Sequence, residues 1–219
     1  MVLAIDTAGP VVGVALWSGE ILGQATRREP RGSDSVVLQG IQQLLTDLDQ
    51  RGESLSLVAV TTGPGAFIGL RVGVSAALGV SVSRGVPVAP VSSLQARAAL
   101  ASGPRTLSLL DARKQRVYGC TFDTRNFPPV PLGAERDVAL DEVIPGSPFV
   151  AVGEGARVYR EQIEAAGGGV HPEAERCPLE MVARLGWAEF ANALQPEQVA
   201  LRYLRHPDVR TPSNVITRH

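Results

Sequence analysis

The chain opens with Val2-Leu3-Ala4-Ile5-Asp6-Thr7-Ala8-Gly9-Pro10-Val11-Val12-Gly13-Val14-Ala15-Leu16-Trp17 after Met1. Four apolar residues run into a carboxylate and then into a cluster of turn formers, Thr7 to Pro10, before a second β-rich run from Val11 to Trp17. Ser18-Gly19-Glu20 turns the chain once more, into Ile21 to Arg28. Three antiparallel strands are the economical reading. Working outward, Ser33 or Asp34 can cap a helix over 34–49, whose Val37, Ile41, Leu44, Leu45 and Leu48 recur on one face before Gly52. Leu57 to Val60 reads as a short buried strand leading to Thr61-Thr62-Gly63-Pro64-Gly65. A second helix is predicted over 69–84, a strand over 86–91, and a third helix capped by Ser92 or Ser93 and running through Leu100.

Ser102-Gly103-Pro104 is a hinge candidate that divides the chain into 1–102 and 103–219. After it, Thr106 to Leu110 reads as a strand, Asp111 to Gln115 as a turn, and Val117 to Phe122 as its hairpin mate. Prolines make 127–148 loop-rich; Phe149 to Val152 is a strand, and Ala156–Ala166 and Leu179–Leu194 are helices. The order β-β-β-α-β-α-β-α followed by a worn copy of its start predicts two related α/β lobes with mixed sheets.

Composition limits the functions available. The chain has 219 residues, 44% of them hydrophobic, with 21 basic against 22 acidic residues scattered without runs. It is expected to be globular, with no electrostatic footprint for binding nucleic acid by itself. The N-terminus has no basic segment ahead of its short apolar run, and Gly, Pro or charge is read as interrupting every later apolar stretch, so neither a signal peptide nor a spanning helix is expected. Cys120 and Cys177 are far apart and lack a C-x-x-C partner, which argues against a disulfide framework or structural zinc and points to the cytosol.

The string Thr62-Gly63-Pro64-Gly65-Ala66-Phe67-Ile68-Gly69-Leu70-Arg71-Val72-Gly73 lies between a predicted strand and a helix, where backbone N–H groups can cradle an anion and Arg71 adds positive charge. Gly63, Gly65 and Arg71 are therefore phosphate candidates. No Lys-Ser/Thr follows the glycines, so this is not a Walker A loop, and the same glycines can serve only a tight turn and close helix packing. Asp6 and Asp111 end matching strands of the two predicted lobes, the position for a carboxylate that faces a cleft and organises a hydrated metal; either can equally form an Asx turn. His171, His206 and His219 all come late and none is paired at i, i+4. No metal site and no catalytic residue is assigned.

The helix at 69–84 is rich in small residues, Gly73, Ser75, Ala76, Ala77, Gly79 and Ser81, with Leu70, Val74 and Leu78 along one side. Its stripe, and that of Val37, Ile41, Leu44, Leu45 and Leu48, can face the lobe's own sheet or a partner. The small residues favour a partner surface.

At these residues the chain resembles the TsaB (YeaZ) family. The resemblance is carried by Ala4-Ile5-Asp6-Thr7-Ala8, the glycine string through Gly73, Gly85-Val86-Pro87-Val88 leading to Val91-Ser92-Ser93-Leu94, Leu110-Asp111-Ala112-Arg113 with Val117-Tyr118, and Leu201-Arg202-Tyr203-Leu204-Arg205. It implies the two-lobed, ribonuclease H-like fold shared by actin, chaperone ATPases and sugar kinases. It also implies a non-catalytic scaffold for a TsaD-type paralogue, which adds threonylcarbamoyl to adenosine 37 of tRNAs reading codons that begin with A. A TsaE-type ATPase is the other implied partner. The family's dimer surface maps onto the helices at 34–49 and 69–84, giving a homodimer when the chain is alone, tRNA contact only through the complex, and ATP or ADP at a partner interface rather than bound by this chain alone.

The sequence departs from the family pattern where Ala66 and Ile68 replace Ser and Thr, and where Ser33-Asp34-Ser35 replaces a His-Ser. The competing readings are a stand-alone small-molecule kinase using Asp6, the glycine loop and Asp111 around Mg-ATP, and a metal-dependent peptidase.

Overall fold

A computed structural model describes residues 1–28 and 33–205. The first lobe contains β1 (Val2–Asp6), β2 (Val11–Trp17), β3 (Ile21–Arg28), α1 (Ser33–Gln50), β4 (Leu57–Gly63), α2 (Phe67–Arg84), β5 (Val88–Ser92) and α3 (Ser93–Ala98). Its five strands are ordered β3-β2-β1-β4-β5, antiparallel in the β1-β2-β3 meander and parallel across β1, β4 and β5. Every residue of β1 and β4 is buried, as expected of central strands covered on both faces.

The second lobe repeats the plan. β6 (Thr106–Arg113) and β7 (Arg116–Asp123) form a hairpin extended by β8 (Val130–Pro131) and β9 (Arg136–Val138). β10 (Phe149–Val152) lies parallel to β6, and β11 (Gly168–Val170) parallel to β10, with α4 (Glu154–Val158) and α5 (Arg160–Ala165) between them. The order β11-β10-β6-β7-β8 matches the first sheet read from its other edge. The equivalent of α1 has shrunk to a 3-10 turn, Leu140–Glu142. Two mixed sheets arranged in this way are the expected actin-like architecture.

Helix α6 (Leu179–Ala188) leaves the second lobe and returns to the first sheet. There Val182, Ala183 and Leu185 pack on Val2, Ala4, Leu57, Ala59, Ala89 and Val91. Gly186 lies flush on Ala59, where a Cβ would collide. A division at 102/103 therefore does not hold for this part of the chain. On the opposite face Leu3, Ile5, Val14, Leu16, Val58 and Val60 meet α1 and α2, the period-2 alternation of strands serving two layers.

This packing corrects the expected partner stripe. Val37, Ile41, Leu44, Leu48 and Val74 are buried in their own lobe, Leu70 is buried where α2 meets Leu94 of α3 and Leu110 and Phe122 of the second lobe, and Leu45 and Leu78 are half-buried against the first-lobe core. A single sheet face takes both apolar stripes, because the helices lie side by side on it; Arg84 of α2 pairs with Asp49 of α1 at 2.6 Å. The outward side of α2 is also apolar, with Ile68 74% and Val82 69% exposed. By length and composition this one helix passes as a membrane span, at mean hydropathy 1.3, contrary to the expectation, but its inner side is sheet-packed core.

Boundaries moved where local signals were weak. α2 starts at Phe67, α3 stops at Ala98, and the expected 156–166 helix breaks around Tyr159 into α4 and α5. The expected 179–194 helix ends at Ala188 and continues as a 3-10 turn, Phe190–Asn192. Asp111 is in strand rather than turn, since β6 pairs with β7 as far as Arg113, and the tip is made by Arg113, Lys114 and Gln115, all at positive φ. The expected caps Ser33 and Asp34 lie outside the described side chains, and His206 and His219 outside the described residues.

Candidate functional site

The ends of β1 and β6, the start of α4 and the chain after α6 enclose a cleft of about 660 Å³ between the lobes. Its walls are Ala8 to Pro10, Pro64 to Phe67, Leu110 to Lys114, Tyr118, Glu154, Arg157, Val158, Glu175, Arg28 and the tail Arg202 to Arg205. Asp6 lies behind its floor, fully buried. Asp6 Oδ1 accepts from Thr61 Oγ1 at 2.8 Å and from Ala8 N at 3.1 Å. Oδ2 is 3.0 Å from Arg97 Nη2 and accepts from Cys177 Sγ at 3.6 Å. Arg97, from α3, is 4% exposed and also donates from Nη1 to Ser93 O at 3.0 Å. Burial opposes its charge, but the facing carboxyls of Asp6 and Glu154 outweigh that and raise its pKa above the ordinary arginine value. Burial, with Asp6 alongside, pushes the Cys177 thiol well up, so it stays protonated and donates.

Glu154 starts α4 on the cleft wall, with Oε1 accepting from Asp111 N at 3.3 Å. Burial pushes its carboxyl up to about 7, and Arg97 opposes the rise. Asp111 lines the cleft and forms the Asx turn foreseen as its alternative role: Oδ1 accepts from Arg113 N at 2.9 Å, and Oδ2 is 3.4 Å from Arg113 Nη1.

The glycine string serves packing. Side chains at Gly69 and Gly73 would strike Thr7, at Gly65 they would strike Ala8, and at Gly63, φ 127°, the carbonyl of Arg202. The glycines bring α2 and its entry loop against the β1–β2 turn and make room for the tail. That tail is pinned by Arg202 N donating to Thr62 O at 2.8 Å and by Tyr203, whose ring is 5.0 Å from that of Phe67. Arg71 lies 3.9 Å over the Phe67 ring and donates from Nε to Tyr203 OH at 3.1 Å. Its charge is engaged in an aromatic cluster rather than aimed at the cleft. Arg202 also reaches Glu135 of the second lobe at 3.2 Å. Of the five nucleotide candidates, Gly65 and Asp111 line the cleft, Asp6 lies behind it, and Gly63 and Arg71 serve the tail.

A nucleotide-bound divalent cation, as the kinase reading requires, does not fit these residues. Both oxygens of Asp6 are engaged, and a guanidinium fills the space a cation would need beside it. Among the described residues no group of three or more His, Cys, Asp or Glu is placed to hold a metal. His171, half-buried, accepts from Glu173 N through Nδ1 at 3.3 Å in a surface turn.

Residues 31–143 match the family model described as TsaD: tRNA N6-adenosine threonylcarbamoyltransferase. The tRNA threonylcarbamoyladenosine biosynthesis protein TsaB of Escherichia coli is 32% identical over 125 residues, 55% of this chain and 54% of that protein. The chain belongs to the TsaB/YeaZ family. An uncharacterized protein of Mycobacterium tuberculosis H37Rv is 30% identical over 215 residues, covering 95% of this chain and 93% of its own length. YeaZ from Pseudomonas aeruginosa superposes with a TM-score of 0.78 at 24% identity over 93% of this chain and 99% of that one, which shows the shared fold. The match spans about half the length of the E. coli relative.

Sequence reasoning missed Arg97, Glu154, Cys177 and the arginines of the cleft mouth. Arg97 did carry a signal, as the one charge within Ala96 to Leu100 of an otherwise apolar stretch. A charge in such a place must be paired. Glu154 and Cys177 carried none, because their partners are remote in sequence.

Proposed function

We propose that the protein is the non-catalytic subunit that supports a TsaD-type transferase in forming threonylcarbamoyladenosine in tRNA. The observation that carries this reading is the outward side of α2. Ile68 and Val82 stand 74% and 69% exposed, with exposed Ser75 and Gly79 between them, while the inner side of the helix is packed against its own sheet, the β1–β2 turn and, at Leu70, the second lobe. Small residues flanked by exposed aliphatics let a second helix approach closely and bury apolar area. On neighbouring α1, Leu38 is 57% exposed. The occupant is the TsaD-type paralogue, or a second copy when this chain is alone, with a TsaE-type ATPase joining the pair. Support for the pathway comes from the names of the relatives; support for a non-catalytic role comes from Asp6, which is neutralised by Arg97 and engaged on both oxygens. Contact with tRNA is then made through the complex, in keeping with a net charge of −1.

The test is reconstitution. The TsaD-type and TsaE-type proteins of the same source are assayed for tRNA modification with and without this chain. Modification that depends on the chain, with no ATP hydrolysis by the chain alone, supports the reading. Undiminished modification in its absence, or ATP turnover by the chain alone at about 1 per second that vanishes in Asp6→Asn, overturns it.

A further inference from the structure

The chain passes from the first lobe to the second between α3 and β6, and back between β11 and α6. Two such crossings leave rotation about a hinge open. The tail over Val199 to Arg205 adds a further connection. Leu201 packs with Leu70 and Leu94 of the first lobe and with Leu110 and Phe122 of the second. On the first lobe, Arg202 N donates to Thr62 O at 2.8 Å, the Tyr203 ring lies 5.0 Å from that of Phe67, and Tyr203 OH accepts from Arg71 Nε at 3.1 Å. On the second lobe, Arg202 Nη1 lies 3.2 Å from Glu135 Oε2 and Arg205 Nε lies 4.0 Å from Asp137 Oδ2, while Arg205 Nη1 donates to Ala112 O at 3.5 Å. Asp137 is also paired with Arg116 of its own lobe at 2.7 Å, so Arg202 makes the stronger tie.

The two ends differ in kind. The first-lobe end is aromatic and backbone-bonded, whereas the second-lobe end is ionic. The Arg202 side chain is 53% exposed, that of Glu135 only 6%. Glu135 Oε1 also accepts from Ser92 Oγ at the end of β5, so this carboxylate of the second lobe sits between two groups held on the first. Without Arg202 its charge would be buried with no counter-ion, a state relieved when the lobes part enough to admit water.

We propose that Val199 to Arg205 is a latch that holds the two lobes at one angle, with the pair of Arg202 and Glu135 as its releasable catch. An exposed guanidinium on a nearly buried carboxylate opens when salt screens it, while the aromatic end keeps the tail on the first lobe. The latch involves no other chain, so it stands or falls independently of the partner proposal.

The experiment is a distance measurement by pulsed electron resonance between spin labels on Glu53→Cys in the first lobe and Glu161→Cys in the second, both at exposed positions of the full chain. The native Cys120 and Cys177 are buried and escape labelling. We expect a single narrow distance in the labelled parent at low salt. Arg202→Gln/Arg205→Gln should lose it to a broad distribution, and Tyr203→Ala, which removes the opposite end, should do the same. In about 1 M salt, where charges act over only about 3 Å, the parent should broaden and the double variant should stay as it was. A broad distribution in the parent at low salt, or a narrow, unshifted distance in the double variant, overturns the latch. If the double variant does not fold, a narrow distance in Tyr203→Ala overturns it equally. A parent distribution indifferent to salt overturns the ionic catch.

Discussion

Arg97 Nη2 lies 3.0 Å from Asp6 Oδ2, with the two side chains 4% and 0% exposed. The pair joins the end of β1 to α3 under the floor of the cleft. A buried ion pair contributes little beyond what a well-packed apolar pair would, but losing one member strands the other charge at a cost of about 3–5 kcal/mol. Arg97→Met should therefore destabilise the protein by about that much, and Arg97→Met/Asp6→Asn should be less destabilised than the sum of the two single variants. Urea unfolding of the four proteins checks this.

Glu154 sets a pH dependence. Its carboxyl, ordinarily near 4.5, is raised to about 7 by burial, against the attraction of Arg97, with Asp6 adding repulsion; Asp111 donates its backbone N–H to it, and Cys177 stands protonated nearby. The folded protein thus holds a proton between about 4.5 and 7 that the unfolded chain has released. Stability from this group is complete below about 4.5 and lost as pH rises through about 7. The loss is at most about 3 kcal/mol, and less where water reaches the carboxyl. Melting followed from pH 5 to 8 should fall less in Glu154→Gln than in the parent protein. Equal slopes would sink the assignment.

The glycines of α2 divide by what faces them. Gly69 abuts the Thr7 carbonyl, and a Cβ there would collide with backbone, whereas Gly79 faces open space. Gly69→Ala should destabilise by several kcal/mol or shift the β1–β2 turn. Gly79→Ala should stabilise the isolated chain by up to about 1 kcal/mol through helix propensity. Thermal melting of both variants separates the cases, and equal effects would contradict the packing role.

The first lobe was legible because its signals are local: alternation along Val2 to Trp17, the repeating apolar face of α1, and Gly85, which ends α2 at φ 63°. The family resemblance supplied the two-lobed plan. The second lobe was harder to read because β8 and β11, of two and three residues, include proline and glycine, and are held by pairing with neighbours rather than by propensity. The direction of the apolar stripes was misread for a physical reason. A helix with apolar residues all round gives no sequence signal for which side meets its own sheet, and only the collision of Gly69 and Gly73 with Thr7 fixes the rotation of α2. The pairing of Asp6 with Arg97 spans 91 residues and leaves no local pattern.

That rotation puts the decisive test of the partner surface at Val82, not at Val74 of the expected stripe. Val74 is 6% exposed and packs in the first lobe's core, whereas Val82, on the same helix, is 69% exposed. Val74→Glu buries a charge without a partner and should unfold the lobe, whatever the protein binds. Val82→Glu leaves the charge in water in the isolated chain, so melting should stay within about 0.5 kcal/mol of the parent. On association the same charge would be stranded in an apolar contact at a cost of several kcal/mol. Self-association by light scattering and capture of the TsaD-type paralogue should both be lost in Val82→Glu, and restored by Val82→Ile. Capture undiminished in a normally folded Val82→Glu would place the partner surface elsewhere on the molecule.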